Sequence, residues 1–128
     1  MDISTAHNEA RLGGTKTFLD TGGGAGATIE IYDGERPPPG GSVTNLLVTF
    51  TLTKPCGTVA SNTLPVTAAA IPLAVRDGTA TWYRAKTAAG AWAGDGWVSD
   101  LAGSGEIKLD TTDILAGGSV RLVSATFR

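Results

Sequence analysis

The 128-residue chain has one cysteine and one histidine, and only 17% of its residues are charged. A lone Cys56 cannot close an internal disulfide, so folding is not tied to an oxidising compartment. One His7 and one Cys56 fall short of the usual zinc ligand sets. Ser or Cys nucleophiles have no credible base beside them. The net charge is −2, and no window gathers Lys and Arg. That removes the electrostatic footprint of a nucleic-acid binder and of a polybasic membrane patch. No apolar run approaches the ~20 residues of a membrane-spanning helix. Met1–His7 carries neither the basic stretch nor the apolar core of a signal peptide. The expectation is a non-enzymatic chain made in a cytoplasm, with no cofactor, no metal, no nucleic-acid partner and no membrane partner.

What the chain does have is glycine, 18 residues of it, and 41% apolar content. Alternating segments are separated by Gly and Pro turns. Thr28–Tyr32 reads as a first strand, followed by the Asp33-Gly34 turn. Residues 44–53 form the clearest strand, with Leu46, Val48, Phe50 and Leu52 on one face and Leu47, Thr49, Thr51 and Thr53 on the other. Residues 56–76 suggest short edge pieces, because Pro65 and Pro72 interrupt them. Thr79–Lys86, the stretch through Trp92 to Ser99, Glu106–Asp110 and Val120–Phe127 complete the set. Seven to eight short strands with turns every 8–12 residues predict an all-β fold, a jelly-roll or immunoglobulin-like β-sandwich.

Residues 4–20 carry the one helical pattern. Ser4 or Thr5 would cap it, and Ala10, Leu12, Phe18 and Leu19 would supply its apolar stripe. Gly13-Gly14 costs about 1 kcal/mol per residue against alanine, which leaves a weak helix and a partly ordered arm as alternatives. Gly22–Gly26 then reads as a joint. The division is therefore an N-terminal arm or short helix with its Gly-rich joint over residues 1–26, and a β-sandwich body over residues 27–128.

The carboxylate pairs Asp33/Glu35 and Asp110/Asp113 lack a calcium-loop pattern and read as turn formers. Gly22–Gly26 and Gly103-Ser104-Gly105 lack the strand-then-helix setting of a phosphate loop. Three tryptophans fall close together, Trp82, Trp92 and Trp97, with Tyr83 among them. Neighbours on a strand point to opposite faces, so at most one of Trp82 and Tyr83 faces inward, and Trp82 is the expected one. Trp92 and Trp97 are left as candidate interface residues that could stack on a sugar or anchor a protein contact. The stiff loop Arg36-Pro37-Pro38-Pro39 is the other candidate interface.

Several stretches resemble small structural proteins of tailed phages and prophages. They are Ile29-Glu30-Ile31-Tyr32-Asp33-Gly34-Glu35-Arg36-Pro37, Leu46–Phe50, Gly78–Arg84 and Ile107–Gly118 with the final strand. The Pro37-Pro38-Pro39 run and the Lys54-Pro55-Cys56 corner depart from that pattern. The resemblance implies a virion component, most readily a capsid decoration or cement protein with a jelly-roll-like body. Its partners would be the major capsid protein and further copies of itself, as a dimer or trimer. It would act on the capsid surface after assembly in the bacterial host cytoplasm. The alternatives are a tail or head–tail joining component, and a carbohydrate-binding module using exposed tryptophan.

Overall fold

The structure, a computed structural model, describes residues 1–128. Its elements run α1 (Thr5–Leu19), β1 (Thr28–Tyr32), β2 (Leu46–Gly57), β3 (Leu64–Ala68), β4 (Gly78–Thr79), β5 (Trp82–Lys86), β6 (Trp92–Ser99), β7 (Ile107–Leu109), β8 (Asp113–Ile114) and β9 (Leu122–Phe127). A mostly β fold with a single N-terminal helix is what the sequence suggested.

The sheet arrangement corrects the sandwich expectation. Seven strands pair in the cyclic order β1-β2-β3-β9-β7-β6-β5 and close into a barrel, while β4 and β8 form a separate two-stranded ribbon. Closure comes from β5 pairing back onto β1, from Thr28↔Lys86 to Tyr32↔Trp82. Inward and outward residues alternate along a barrel strand as they do along a sandwich strand, so periodicity does not separate the two.

The interior holds Ile29, Ile31, Phe50, Leu52, Tyr83, Ile107 and Leu109 in one continuous apolar cluster. On β2 the expected faces are shifted by one residue at the start. Ile31 pairs with Val48 and Tyr32 with Leu46, so Leu47 is the extra residue of a bulge. The bulge turns Leu47 into the core, where it is fully buried, and leaves Leu46 half-buried.

The helix is unbroken across Gly13-Gly14. Ser4 caps it by accepting from the His7 N–H at 3.1 Å, and His7 itself is exposed. Leu12 and Leu19 are buried in the same cluster as the barrel core, while Phe18 stays exposed. Side chains tie the helix down at both ends. Glu9 accepts from the Asn62 N–H at 3.1 Å, and Asn8 Nδ2 donates to Asn62 Oδ1 at 2.5 Å. Asp20 Oδ1 accepts from the Cys56 N–H at 3.0 Å. Of the two alternatives for this segment, arm and short helix, the structure shows a docked helix. Cys56 lies fully buried near the end of β2.

One pair in the barrel is parallel, β6 with β7, through Val98↔Ile107 and Ser99↔Lys108. Parallel neighbours usually need a crossover of a dozen or more residues. Here residues 100–106 suffice because two glycines press against β6. A Cβ on Gly103 would sit 2.5 Å from Ser99 Cβ, and one on Gly105 would sit 2.8 Å from the Ser99 nitrogen. Asp100 Oδ1 holds the turn by accepting from the Ala102 and Gly103 N–H groups, each at 3.0 Å.

Candidate interaction surface

The outer wall formed by β1, β5 and β6 carries the tryptophans. Register places its side chains in rows across the three strands. Tyr32, Trp82 and Trp97 are aligned, as are Glu30, Arg84 and Asp95, and as are Thr28, Lys86 and Trp92. Loop 33–45, which contains the proline run, lies over this wall.

The first row is aromatic. Tyr32 and Trp82 stack with centroids 4.5 Å apart and planes inclined by 15°. Trp82 is fully buried, yet it faces outward and the loop covers it. Its indole N–H donates to the Asp33 carbonyl at 3.1 Å and to Thr44 Oγ1 at 3.0 Å. Tyr83 is the residue that points into the barrel, which reverses the inward assignment made from the sequence. Both are buried because both faces of β5 are covered. Trp97 ends the row, 52% exposed, with the Arg36 guanidinium 4.4 Å above its ring.

The second row is charged. Arg84 Nε lies 2.8 Å from Asp95 Oδ1, and Arg84 Nη2 lies 3.0 Å from Asp95 Oδ2. Such a two-pronged pairing fixes the orientation of both groups. Asp95 also accepts from the Gly40 N–H at 3.1 Å and from Trp92 Nε1 at 3.0 Å. Arg84 Nη2 donates in turn to the Gly41 carbonyl at 3.0 Å. Burial works to raise the Asp95 pKa, but the bonds from Arg84, Trp92 and Gly40 outweigh it and hold the carboxyl below its ordinary value. The hydrogen bond to Asp95 raises the pKa of Arg84. On the same wall Lys86 Nζ pairs with Glu30 Oε1 at 3.0 Å, and the Tyr32 hydroxyl donates to that oxygen at 3.1 Å.

The proline run becomes a tight turn. The Gly41 N–H donates to the Pro38 carbonyl at 2.8 Å, with Gly40 at φ 73°. Proline followed by a left-handed glycine is the preferred pair for a type II turn. Gly40 thereby comes to rest over the Trp92 ring, where an added Cβ would lie 3.7 Å from the indole. Thr81 Oγ1 donates to the Gly34 carbonyl at 2.6 Å, and the Asn45 N–H donates to Asp33 Oδ1 at 3.1 Å. Asp33 therefore works as a turn former.

The structure brings the candidate interface residues together. Arg36 meets Trp97, and the turn built on Pro37, Pro38 and Pro39 meets Trp92 through Gly40. Trp92 is 45% exposed, and Pro38 and Pro39 are exposed beside it, so indole and pyrrolidine surface form one ridge. Sequence reasoning missed Arg84 and Asp95, which hold the ridge in place. Their signal was an arginine on the Trp82 face of one strand and a carboxylate midway between two tryptophans on the next.

Comparison with protein-family models, with curated protein sequences and with solved structures finds no match for this chain.

Proposed function

We propose that this protein is a structural component of a tailed-phage particle, a capsid decoration protein that binds the outer shell and reinforces contacts between major capsid subunits. The resemblance of the Ile29–Pro37, Gly78–Arg84 and Ile107–Gly118 stretches supports the virion class. The observation that carries the attachment reading is exposed tryptophan on one outer wall, Trp97 and the ridge of Trp92 with Pro38 and Pro39. Exposed tryptophan on a rigid support loses little conformational freedom on binding, and tryptophan is enriched among the residues that dominate interface energies. The body that would sit on the shell is the closed seven-stranded barrel. Self-association as a dimer or trimer is part of it too, because identical chains on a symmetric shell often pair or ring. Assembly would take place in the bacterial host cytoplasm and the mature location would be the capsid surface.

The test uses phage particles stripped of this protein, with the full-length chain and its Trp92→Ser/Trp97→Ser variant added back. The wild type should sediment with the particles, and the variant should stay in the supernatant while keeping its β-type circular dichroism. Undiminished co-sedimentation of the folded variant would remove the ridge from the proposal. Density at the tail or the head–tail joint in cryo-electron microscopy would favour the alternative placement.

Stacking of a neutral sugar on the same tryptophans has less support. Arg36 already occupies one face of Trp97, and Gly40 rests on Trp92.

A further inference from the structure

We propose that a second site, a polar groove on the outer wall of β7 and β9, binds an acidic sugar residue. This goes beyond the virion reading and does not depend on it. The groove encloses about 350 Å³, and no apolar side chain lines it. That volume falls in the range of small-ligand sites, although such sites are usually walled by apolar groups. A wholly polar lining suits a ligand that is itself covered in hydroxyl groups.

The register explains how the groove forms. Lys108 pairs with Ser124, and the Thr126 N–H donates to the Glu106 carbonyl at 3.2 Å, so Lys108, Ser124 and Thr126 share the outer face and Glu106 lies at its end. Gly103 and Gly105 form the wall on the β6 side, where they lie against Ser99. Arg128 and Ser104 complete the rim.

The charges of this groove are uncommitted. The two ion pairs of the chain are Arg84–Asp95 and Lys86–Glu30, so neither Lys108 nor Arg128 has a carboxylate partner. The hydroxyls of Ser104, Ser124 and Thr126 make no hydrogen bond within the chain. Ser99 beside them shows the contrast, since its Oγ donates to the Asp100 carbonyl at 2.9 Å and accepts from the Gly105 N–H at 3.0 Å. The one side-chain carboxylate of the groove, Glu106, is drawn to the barrel mouth, where its Oε1 accepts from the Tyr83 hydroxyl at 3.0 Å. Two free cations with three free hydroxyls favour an anion carried on a polyol. The cations would take the carboxylate, and the hydroxyls would meet the ring hydroxyls.

Parallel pairing of Val98 with Ile107 sets Trp97 level with Glu106 on the neighbouring strand. Trp97 is 52% exposed there, and its fluorescence serves as a reporter beside the calorimetry.

The experiment titrates the full-length protein with methyl β-D-glucuronide, with its neutral twin methyl β-D-glucoside, and with inorganic phosphate. Tryptophan fluorescence and calorimetry serve as readouts. Lys108→Gln and Arg128→Gln are compared with wild type, and circular dichroism confirms that each variant is folded. The expected result is saturable glucuronide binding that weakens about tenfold in either variant. Binding should also weaken between 20 mM and 500 mM salt. Glucoside should not bind. Equal binding of glucoside, phosphate binding as tight as glucuronide, wild-type affinity in both variants, or no glucuronide binding would each overturn the proposal. The phosphate result would reduce the groove to a simple anion site.

Discussion

Arg84 and Asp95 face each other across β5 and β6 with Nε to Oδ1 at 2.8 Å, and their side chains are 9% and 4% exposed. The pair connects the barrel wall to the proline turn, because Asp95 also holds Gly40 and Arg84 also holds Gly41. Removing one member of a buried pair leaves the other charged and without its partner. Asp95→Ala should therefore destabilise the fold by about 3–5 kcal/mol in urea titration. It should also free the loop over Trp92, seen as a red shift of tryptophan emission before global unfolding. A variant with unchanged stability and emission would show that the hub does not hold the loop.

The same carboxylate sets an acid limit. Its folded pKa is depressed, so its contribution to stability is present above the unfolded value near 4 and is lost as pH falls through the folded value. Melting temperature should decline from about pH 4 downward, and Asp95→Asn should flatten that decline. Parallel declines in both proteins would assign the acid sensitivity to other groups.

The docked helix gives a third prediction. Leu12 is 1% exposed and Leu19 is 2% exposed within the barrel core cluster. Leu12→Ala should cost about 2–5 kcal/mol. Deleting residues 1–24 should unfold or markedly weaken the body, because both leucines and the Asp20 contact to Cys56 go with them. A truncated protein that melts with the wild type would mean that the barrel is independent of α1.

The chain has two tyrosines, which makes their ionisation easy to follow. Burial, then the neighbouring Glu30, pushes Tyr32 up to about 12. Burial, then Glu106, raises Tyr83 as well. A raised phenol retains its proton in the fold, so this contribution is intact below pH 10 and is lost as pH climbs above it. Absorbance at 295 nm should show no normal titration near pH 10, and its rise should coincide with loss of near-ultraviolet dichroism. A separate tyrosine titration near 10 in folded protein would contradict the burial of both rings.

Cys56 is fully buried, and burial followed by Asp20 pushes its thiol up to about 11. Little thiolate exists at neutral pH, and reagents cannot reach what does. Labelling by a disulfide reagent at pH 8 should be at least a hundredfold slower in native protein than in urea. Comparable rates would place the end of β2 in an open state.

The sequence made the strands legible because alternation follows from the pleat. Ile29 and Ile31, Phe50 and Leu52, and Ile107 and Leu109 point inward as their spacing predicts. Barrel closure was not legible, because the β1–β5 pairing is a long-range choice that leaves no local trace. The bulge at Leu47 was hidden for a similar reason, since it shows only against the partner strand. Helix docking was obscured by Gly13-Gly14, whose propensity cost is outweighed by burying Leu12 and Leu19. Of the candidate surface, Trp92, Trp97 and the proline run were legible as exposed. The inward assignment of Trp82 failed because alternation says which residues share a face but not whether a loop covers the outer one.

Tyr83 and Gly96 are partners across β5 and β6, and the tyrosine ring fills the space a side chain at 96 would need. An added Cβ there would stand 2.5 Å from Tyr83 Cε1 and 2.6 Å from Glu106 Oε1. A side chain at 96 would therefore require the Tyr83 ring and the Glu106 carboxylate to move aside, so bulk at 96 and the ring at 83 compete for one volume at the barrel mouth.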